Sequence, residues 1–324
     1  MGYRLGIDIG GTKIGYGVLN DEDKIIFRHK TYIKSSITQD EFCNTIYEDV
    51  NNILESLNLK QQDFTGMALA FPGYVNFDEG YVVFTPSILN ISQFPARERL
   101  SRLFPHMKVV IENDVNVAAI AEHKYGAGKG FDHMTYIAIG TGVGNGLILN
   151  GNIYRGAYGG AGELGHMLIR PDEGVYCGCG NKGCFMSFTS GSNISKHARV
   201  AIEGGEETIL TEITGGDLNM ISAEHINEAF QKGDILAKKM IDQIGYYLGI
   251  YVYNIFMGIN INCYVFGGGM ADIGQYLLDK IWETFDRYNH LLKDQKIYLK
   301  YAELGSDAGI IGAAEALREK QAER

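Results

Sequence analysis

The chain has 324 residues, with 29 basic against 39 acidic side chains and a formal charge of −10. With 45% hydrophobic and 21% charged residues it has a globular composition, neither disordered nor fibrous. A pI near 5.3 and no basic run argue against nucleic acid or an anionic membrane surface as partner, and a length above 300 favours two lobes over one core. Glycine is the outlier at 42 residues, about twice the usual share of roughly 7%, so many positions require tight turns or close backbone approach.

In chain order, residues 3–9 alternate as a strand into Gly10-Gly11-Thr12-Lys13, and residues 14–19 read as a second strand before an Asn20-Asp21 turn. Asp8 inside this first apolar stretch argues against a secretory leader, and the expectation is a cytoplasmic protein. Residues 39–57 carry apolar side chains at helical spacing; residues 66–71 form a short strand closed by Pro72-Gly73; residues 109–111 form another. Glu112-Asn113-Asp114 then falls between that strand and a helix over 115–125, a place where α/β sheets put their sites. The opening hairpin is echoed at 136–149, where Gly140-Thr141-Gly142 leads a second glycine-rich turn and Gly144 and Gly146 align with Gly15 and Gly17. Later segments at 226–240 and 244–257 read as helices, 264–266 as a buried strand, and Ser306-Asp307-Ala308-Gly309 as the lead into a closing helix through Leu317. The uncharged stretch 243–271 is broken by asparagines and glycines, so it reads as a buried helix and strand, not a membrane span.

Four groups of residues carry chemistry. Asp8 through Lys13 offers a carboxylate, free backbone amides, a hydroxyl and an ammonium, a set suited to phosphates and magnesium, although a tight hairpin alone needs the same glycines. Asp114 can accept a proton from an attacking hydroxyl, or equally cap the following helix. His166, Cys177, Cys179 and Cys184 supply one imidazole and three thiolates, a closed tetrahedral set for a structural zinc. Zinc uses one ring nitrogen of His166, so the other, with Glu163 three residues earlier, can meet a polyhydroxylated ligand. Gly267-Gly268-Gly269 follows the late strand and permits a base or ribose to lie on the backbone, or simply a turn.

Together, these motifs resemble the ROK family of bacterial sugar kinases and repressors over nearly the whole chain. The resemblance implies an α/β, two-lobed, actin-like (ribonuclease H-like) ATPase fold with a zinc-binding loop. Residues 1–118 would form a small lobe completed by a closing helix 307–324, and residues 119–306 a large lobe with the zinc loop and a dimerisation surface. It implies an ATP-dependent sugar kinase acting on the 6-hydroxyl of a hexose, with Asp114 as general base and Gly73, Asn113, Glu163, His166 and Met186 toward the sugar. Asp8, Gly10, Gly11, Thr12, Lys13, Gly140, Thr141, Gly142, Gly267 and Gly268 would serve ATP and Mg2+, and the partner surface would be that of a homodimer. Repressors of the family carry a DNA-binding segment ahead of the Asp-Gly-Gly strand, whereas seven residues precede Asp8 here, which disfavours that role. The alternative is a non-catalytic sugar sensor without a DNA-binding domain. One departure stands out: the family usually has an apolar residue and then glutamate after the last zinc cysteine, and this chain reads Cys184-Phe185-Met186. A thioether is a weak acceptor, so the reading is either a weakened glucose site or a substrate such as an N-acetylhexosamine or a glycoside.

Overall fold

The computed structural model describes residues 2–322, without the side chains of residues 320–322. Residues 1, 323 and 324, which the expected lobe and helix ranges include, lie outside the described residues. The chain divides into two compact units, Met1–Gly130 with Gly146–Ala161 and Glu303–Arg324, and Phe131–Asn145 with Gly162–Ala302.

The first unit is built on a five-stranded sheet in the order Ile25–Tyr32, Lys13–Leu19, Tyr3–Ile9, Phe64–Phe71, Lys108–Asn113. The first three strands pair antiparallel and the last three parallel. Helix Gln39–Leu57 covers one face because Phe42, Ile46, Val50 and Ile53 recur at helical spacing and are buried. A Thr38–Glu41 capping box starts it and left-handed Asn58 ends it. The other face takes helix Asp307–Ala322, and strand glycines let it come close. A Cβ on Gly6 would lie 2.1 Å from the Ile310 carbonyl oxygen, and one on Gly17 would lie 2.3 Å from Ile310 Cγ2. Gly146 plays the same part for helix Asp114–Tyr125, its Cβ position being 2.5 Å from Ala119 Cβ. Part of the glycine surplus therefore serves helix-on-sheet packing.

Register places the site. Asp8 pairs with Ala70, Ala70 with Glu112, and Phe71 with Asn113, so Asp8, the Pro72-Gly73 bend and the Glu112–Asp114 turn share the carboxyl edge of the parallel strands.

The second sheet runs Asn152–Ile153, Val143–Leu149, Met134–Ile139, Cys263–Gly267, Tyr298–Tyr301, and the last three strands are parallel. Strand Val143–Leu149 begins in the second unit and ends in the first. Helix Ile235–Ile259 packs on Gln275–Tyr288, where Cβ atoms on Gly245 and Gly249 would meet Lys280 and Thr284 at 2.5 and 2.4 Å.

Two sequence expectations need correction. The helices read at 226–240 and 244–257 are Ala223–Gln231 and one unbroken Ile235–Ile259. The break falls at left-handed Gly233, after which Asp234 caps the long helix by accepting from the Ala237 N–H. Buried Met240, Ile241 and Ile244 carry its apolar stripe across the expected gap. The closing helix starts at Asp307, so residues 307–309 are its first turn and not its lead-in. Residues 243–271 are the rest of the long helix and a buried strand, and no described helix is long and apolar enough to cross a membrane.

Candidate active site and metal centre

Strand Lys108–Asn113 buries Val109, Val110, Ile111 and Glu112, then passes directly into helix Asp114–Tyr125. The cap of this helix is Asn113, not Asp114: Asn113 Oδ1 accepts the N–H groups of Val115 and Asn116 at 2.9 and 3.0 Å. Asn113 Nδ2 donates to the Gly73 carbonyl at 2.8 Å. Asp114 is the first helical residue, half-buried, and its Oδ1 accepts from Val115 N at 2.9 Å and Asn113 Nδ2 at 3.2 Å. Capping is thus supplied by its neighbour, and Asp114 is held in one orientation at a strand end. Gly73 sits at φ +100°, where a Cβ would lie 2.4 Å from the Phe84 carbonyl oxygen, so only glycine fits this bend.

In the same unit, the Gly10 N–H donates to the Lys13 carbonyl at 2.8 Å and closes the first glycine turn, while Thr12 accepts from Ile33 N with its carbonyl. Asp8 lies against the first turn of helix Asp307–Ala322, its Cγ 2.7 Å from a Cβ position on Gly309. Burial pushes the Asp8 carboxyl above its usual range, opposed by the Lys13 ammonium. A cavity of about 380 Å³ opens here, lined by Asp8, Lys13, Arg28, His29 and Lys30 among others. Asp307 also lines it and pairs with Arg28 at 2.8 Å, so Asp8 with Lys13 and Lys30 is the part of this lining that suits a metal–polyphosphate.

In the second unit, Gly140 N donates to the Gly142 carbonyl at 3.0 Å, Gly191 N to the Gly140 carbonyl at 2.8 Å, and Ser192 Oγ to the Thr141 carbonyl at 2.6 Å. The second glycine loop is therefore fastened to the start of helix Gly191–Glu203, whose orphan amides favour anions. A cavity of about 570 Å³ adjoins it, lined by Gly140, Thr141, Ser192, Lys196, Glu224 and Asp272 among others. Gly267 and Gly268 do not line this cavity; their Cβ positions would strike the Tyr136 hydroxyl at 2.2 Å and the Ile139 carbonyl oxygen at 2.3 Å. They let the late strand lie close to its neighbour, and Gly269 and Met270 reach the cavity instead. Ser192, Lys196, Glu224 and Asp272 escaped the sequence reading because they lie on separate helices and turns with no motif of their own.

The candidate metal centre lies in the second unit. Gly162 and Gly165 seat the turn Glu163–His166 on strand Val143–Leu149, their Cβ positions being 2.0 and 2.3 Å from the carbonyl oxygens of Asn145 and Val143. Left-handed Gly180 and Gly183 fold the cysteine loop back. The donor atoms of His166, Cys177, Cys179 and Cys184 all lie within 4.8 Å of one another, with Cys177 Sγ to His166 Nδ1 at 3.4 Å and Cys179 Sγ to Cys184 Sγ at 3.6 Å. Zinc bonds of about 2.3 Å to sulfur and about 2.0 Å to nitrogen in a tetrahedron demand separations of this size, so the set fits zinc with no position left for water. His166 turns Nδ1 to this set and Nε2 toward Glu163, 3.9 Å from Oε2. Met186 opens the short helix Met186–Thr189, and its Cε lies 3.5 Å from a Cβ position on Gly142, alongside the second glycine loop. Of the residues expected to face sugar, Gly73, Asn113 and Asp114 belong to the first unit and Glu163, His166 and Met186 to the second.

Mixed sheets of this order, with glycine loops at their strand ends, define an actin-like ATPase fold, and solved structures match it. A ROK family glucokinase from Streptomyces griseus, in complex with glucose and AMPPNP, superposes with a TM-score of 0.81 at 30% identity, covering 98% of this chain and 100% of that one. The chain belongs to the ROK family, whose family model matches residues 4–320. A glucokinase of Halalkalibacterium halodurans is 30% identical over 319 residues, 98% of this chain and 95% of that protein. A putative xylose repressor of Caldicellulosiruptor is 25% identical over 96% of this chain and 77% of its own length.

Proposed function

We propose that the protein is a sugar kinase that transfers the γ-phosphate of Mg-ATP to the 6-hydroxyl of a hexose or hexose derivative. The observation that carries this reading is Asp114, a carboxylate held at a strand end by its own helix and by Asn113, beside the Gly73 bend, in a chain similar to glucokinases. Asp114 takes the hydroxyl proton as the sugar oxygen bonds to the γ-phosphorus and the bond to the ADP oxygen breaks. Asn113 offers a ring hydroxyl the Nδ2 hydrogen that reaches Asp114 in this structure. Glu163 and the Nε2 edge of His166 bind hydroxyls near the anomeric end, and Gly73 approaches the sugar by its backbone. The glycine loops at Gly10–Lys13 and Gly140–Gly142 hold the phosphates, Gly267 and Gly268 shape the nucleotide cavity from behind, and Asp8 would hold magnesium, which would supply neutralisation of phosphate charge. His166, Cys177, Cys179 and Cys184 would hold a structural zinc, and that cross-link would keep the loop that presents His166 and Met186 in one shape. A homodimer belongs to the same proposal and is read by light scattering.

The test is ADP release from Mg-ATP against glucose, mannose, fructose, allose, N-acetylglucosamine, N-acetylmannosamine and β-glucosides. A sugar-dependent rate with one of them supports the kinase. Sugar binding without ADP release moves the protein to the sensor role, to which the resemblance to a xylose repressor also points.

A further inference from the structure

Glu112, one residue before the cap, is 2% exposed. Its Oε1 accepts the Asn113 N–H at 2.9 Å and Asn116 Nδ2 at 3.0 Å, and its Oε2 accepts from Arg155 Nε at 2.7 Å. A carboxylate this deep is tolerated only with such partners. Arg155 comes from the segment after strand Asn152–Ile153, and its carbonyl accepts from Ala161 N at 3.0 Å. Its guanidinium lies 3.7 Å from the Phe77 ring centroid, and its Nη2 reaches Glu319 Oε2 at 3.2 Å. Phe77 belongs to the hairpin that begins beside Gly73, the residue Asn113 also holds. One planar cation thus joins the Glu112–Asp114 turn, the Gly73 hairpin and the closing helix. Lysine could not replace it, since a point charge offers neither the fork nor the stack.

We infer that Arg155 is a positioning residue for Asp114: it fixes Glu112, whose Oε1 holds the Asn113 backbone N–H and the Asn116 side-chain carboxamide and so sets the turn from which Asp114 projects. The inference rests on the kinase reading. Arg155 touches no reacting atom in it; its effect passes through Glu112 and the turn.

The experiment compares Arg155→Lys and Arg155→Gln in the full chain, with the sugar that gives wild-type turnover. Arg155→Gln leaves Glu112 buried without its cation and can fail to fold; Arg155→Lys keeps the charge and tests the fork and stack alone. Arg155→Lys is expected to lower kcat by roughly a hundredfold, with KM for sugar and ATP held within about a factor of three and a melting temperature lowered by only a few degrees. Amide hydrogen exchange at Asn113, Val115 and Asn116 should quicken in the same variant. Wild-type kcat in Arg155→Lys, unchanged exchange at these amides, or a parallel fall of kcat, sugar affinity and melting temperature overturns the inference. If the wild-type protein shows no sugar-dependent ADP release, the kinase reading falls by itself, and the exchange measurement alone decides whether Arg155 orders the turn.

Discussion

The carboxamide of Asn113 reaches across from its own helix cap to donate to the Gly73 carbonyl at 2.8 Å. One side chain therefore fixes both the start of the helix that carries Asp114 and the bend that follows the neighbouring strand. Gly73→Ala should lower stability by about 1–3 kcal/mol, because alanine at φ +100° is strained and its Cβ would strike the Phe84 carbonyl. Denaturant melts of the variant measure this directly. A neutral result would mean the bend shifts freely, and then Asn113 holds nothing in place.

Asp114→Asn should lower kcat by about 10²–10⁴-fold while sugar binding, read by calorimetry, stays close to wild type. Asparagine keeps an oxygen for the Val115 N–H, so the helix start is preserved. Full turnover in this variant would remove Asp114 from the chemistry.

Freshly prepared protein should carry about one zinc per chain. Removing it with a chelator, or changing Cys184→Ser, should loosen the 177–184 loop, and a fall in melting temperature that added zinc reverses is the measurement. Metal content well below one per chain in fresh protein would contradict the assignment.

Met186→Glu should raise kcat/KM for free glucose by about 10- to 150-fold, the equivalent of a charge-assisted hydrogen bond worth roughly 1.5–3 kcal/mol. The substituted carboxylate would stand where the Met186 methyl lies along the second glycine loop. No gain for glucose, tested beside N-acetylhexosamines and glucosides, would show that Met186 is not what limits glucose.

Acid should weaken the first unit at a defined place. Burial works to raise the Asp23 carboxyl, but hydrogen bonds from Arg318, Tyr125 and Arg4 outweigh it and hold the group at about 2. A carboxylate depressed in the folded state contributes stability above its ordinary value of 3.8, and that contribution is lost as pH falls from there through about 2. Melting temperature followed across this window should fall less steeply for Asp23→Asn than for the wild-type protein.

Helix Gln39–Leu57 and strand Tyr3–Ile9 were legible to the residue, since one has a full amphipathic stripe with a capping box and the other a clean alternation into glycine. The eight-residue edge strand Ile25–Tyr32, half-exposed along its length, and the short hairpin strands Tyr74–Asn76 and Tyr81–Phe84 were not, because strands with so little buried surface are settled by their neighbours. The helix break at Gly233 is hidden in the sequence for a different reason: a glycine followed by aspartate is a stop and a start, but apolar periodicity continues on both sides of it.

The sequence by itself determined the donor chemistry: three cysteines and a histidine at metal spacing, an acidic triplet between strand and helix, two glycine-rich hairpins, and the family those motifs spell. These are local facts, carried by residue type and spacing within a few positions of one another. Only the tertiary structure decided that Asn113 and not Asp114 caps the helix, that Gly267 and Gly268 serve packing against Tyr136 and Ile139, and that Arg155 closes on Glu112 from 43 positions away. Each of those depends on which backbone atoms the sheet register and helix packing bring within hydrogen-bond or van der Waals reach, and residue spacing along the chain carries no record of that distance.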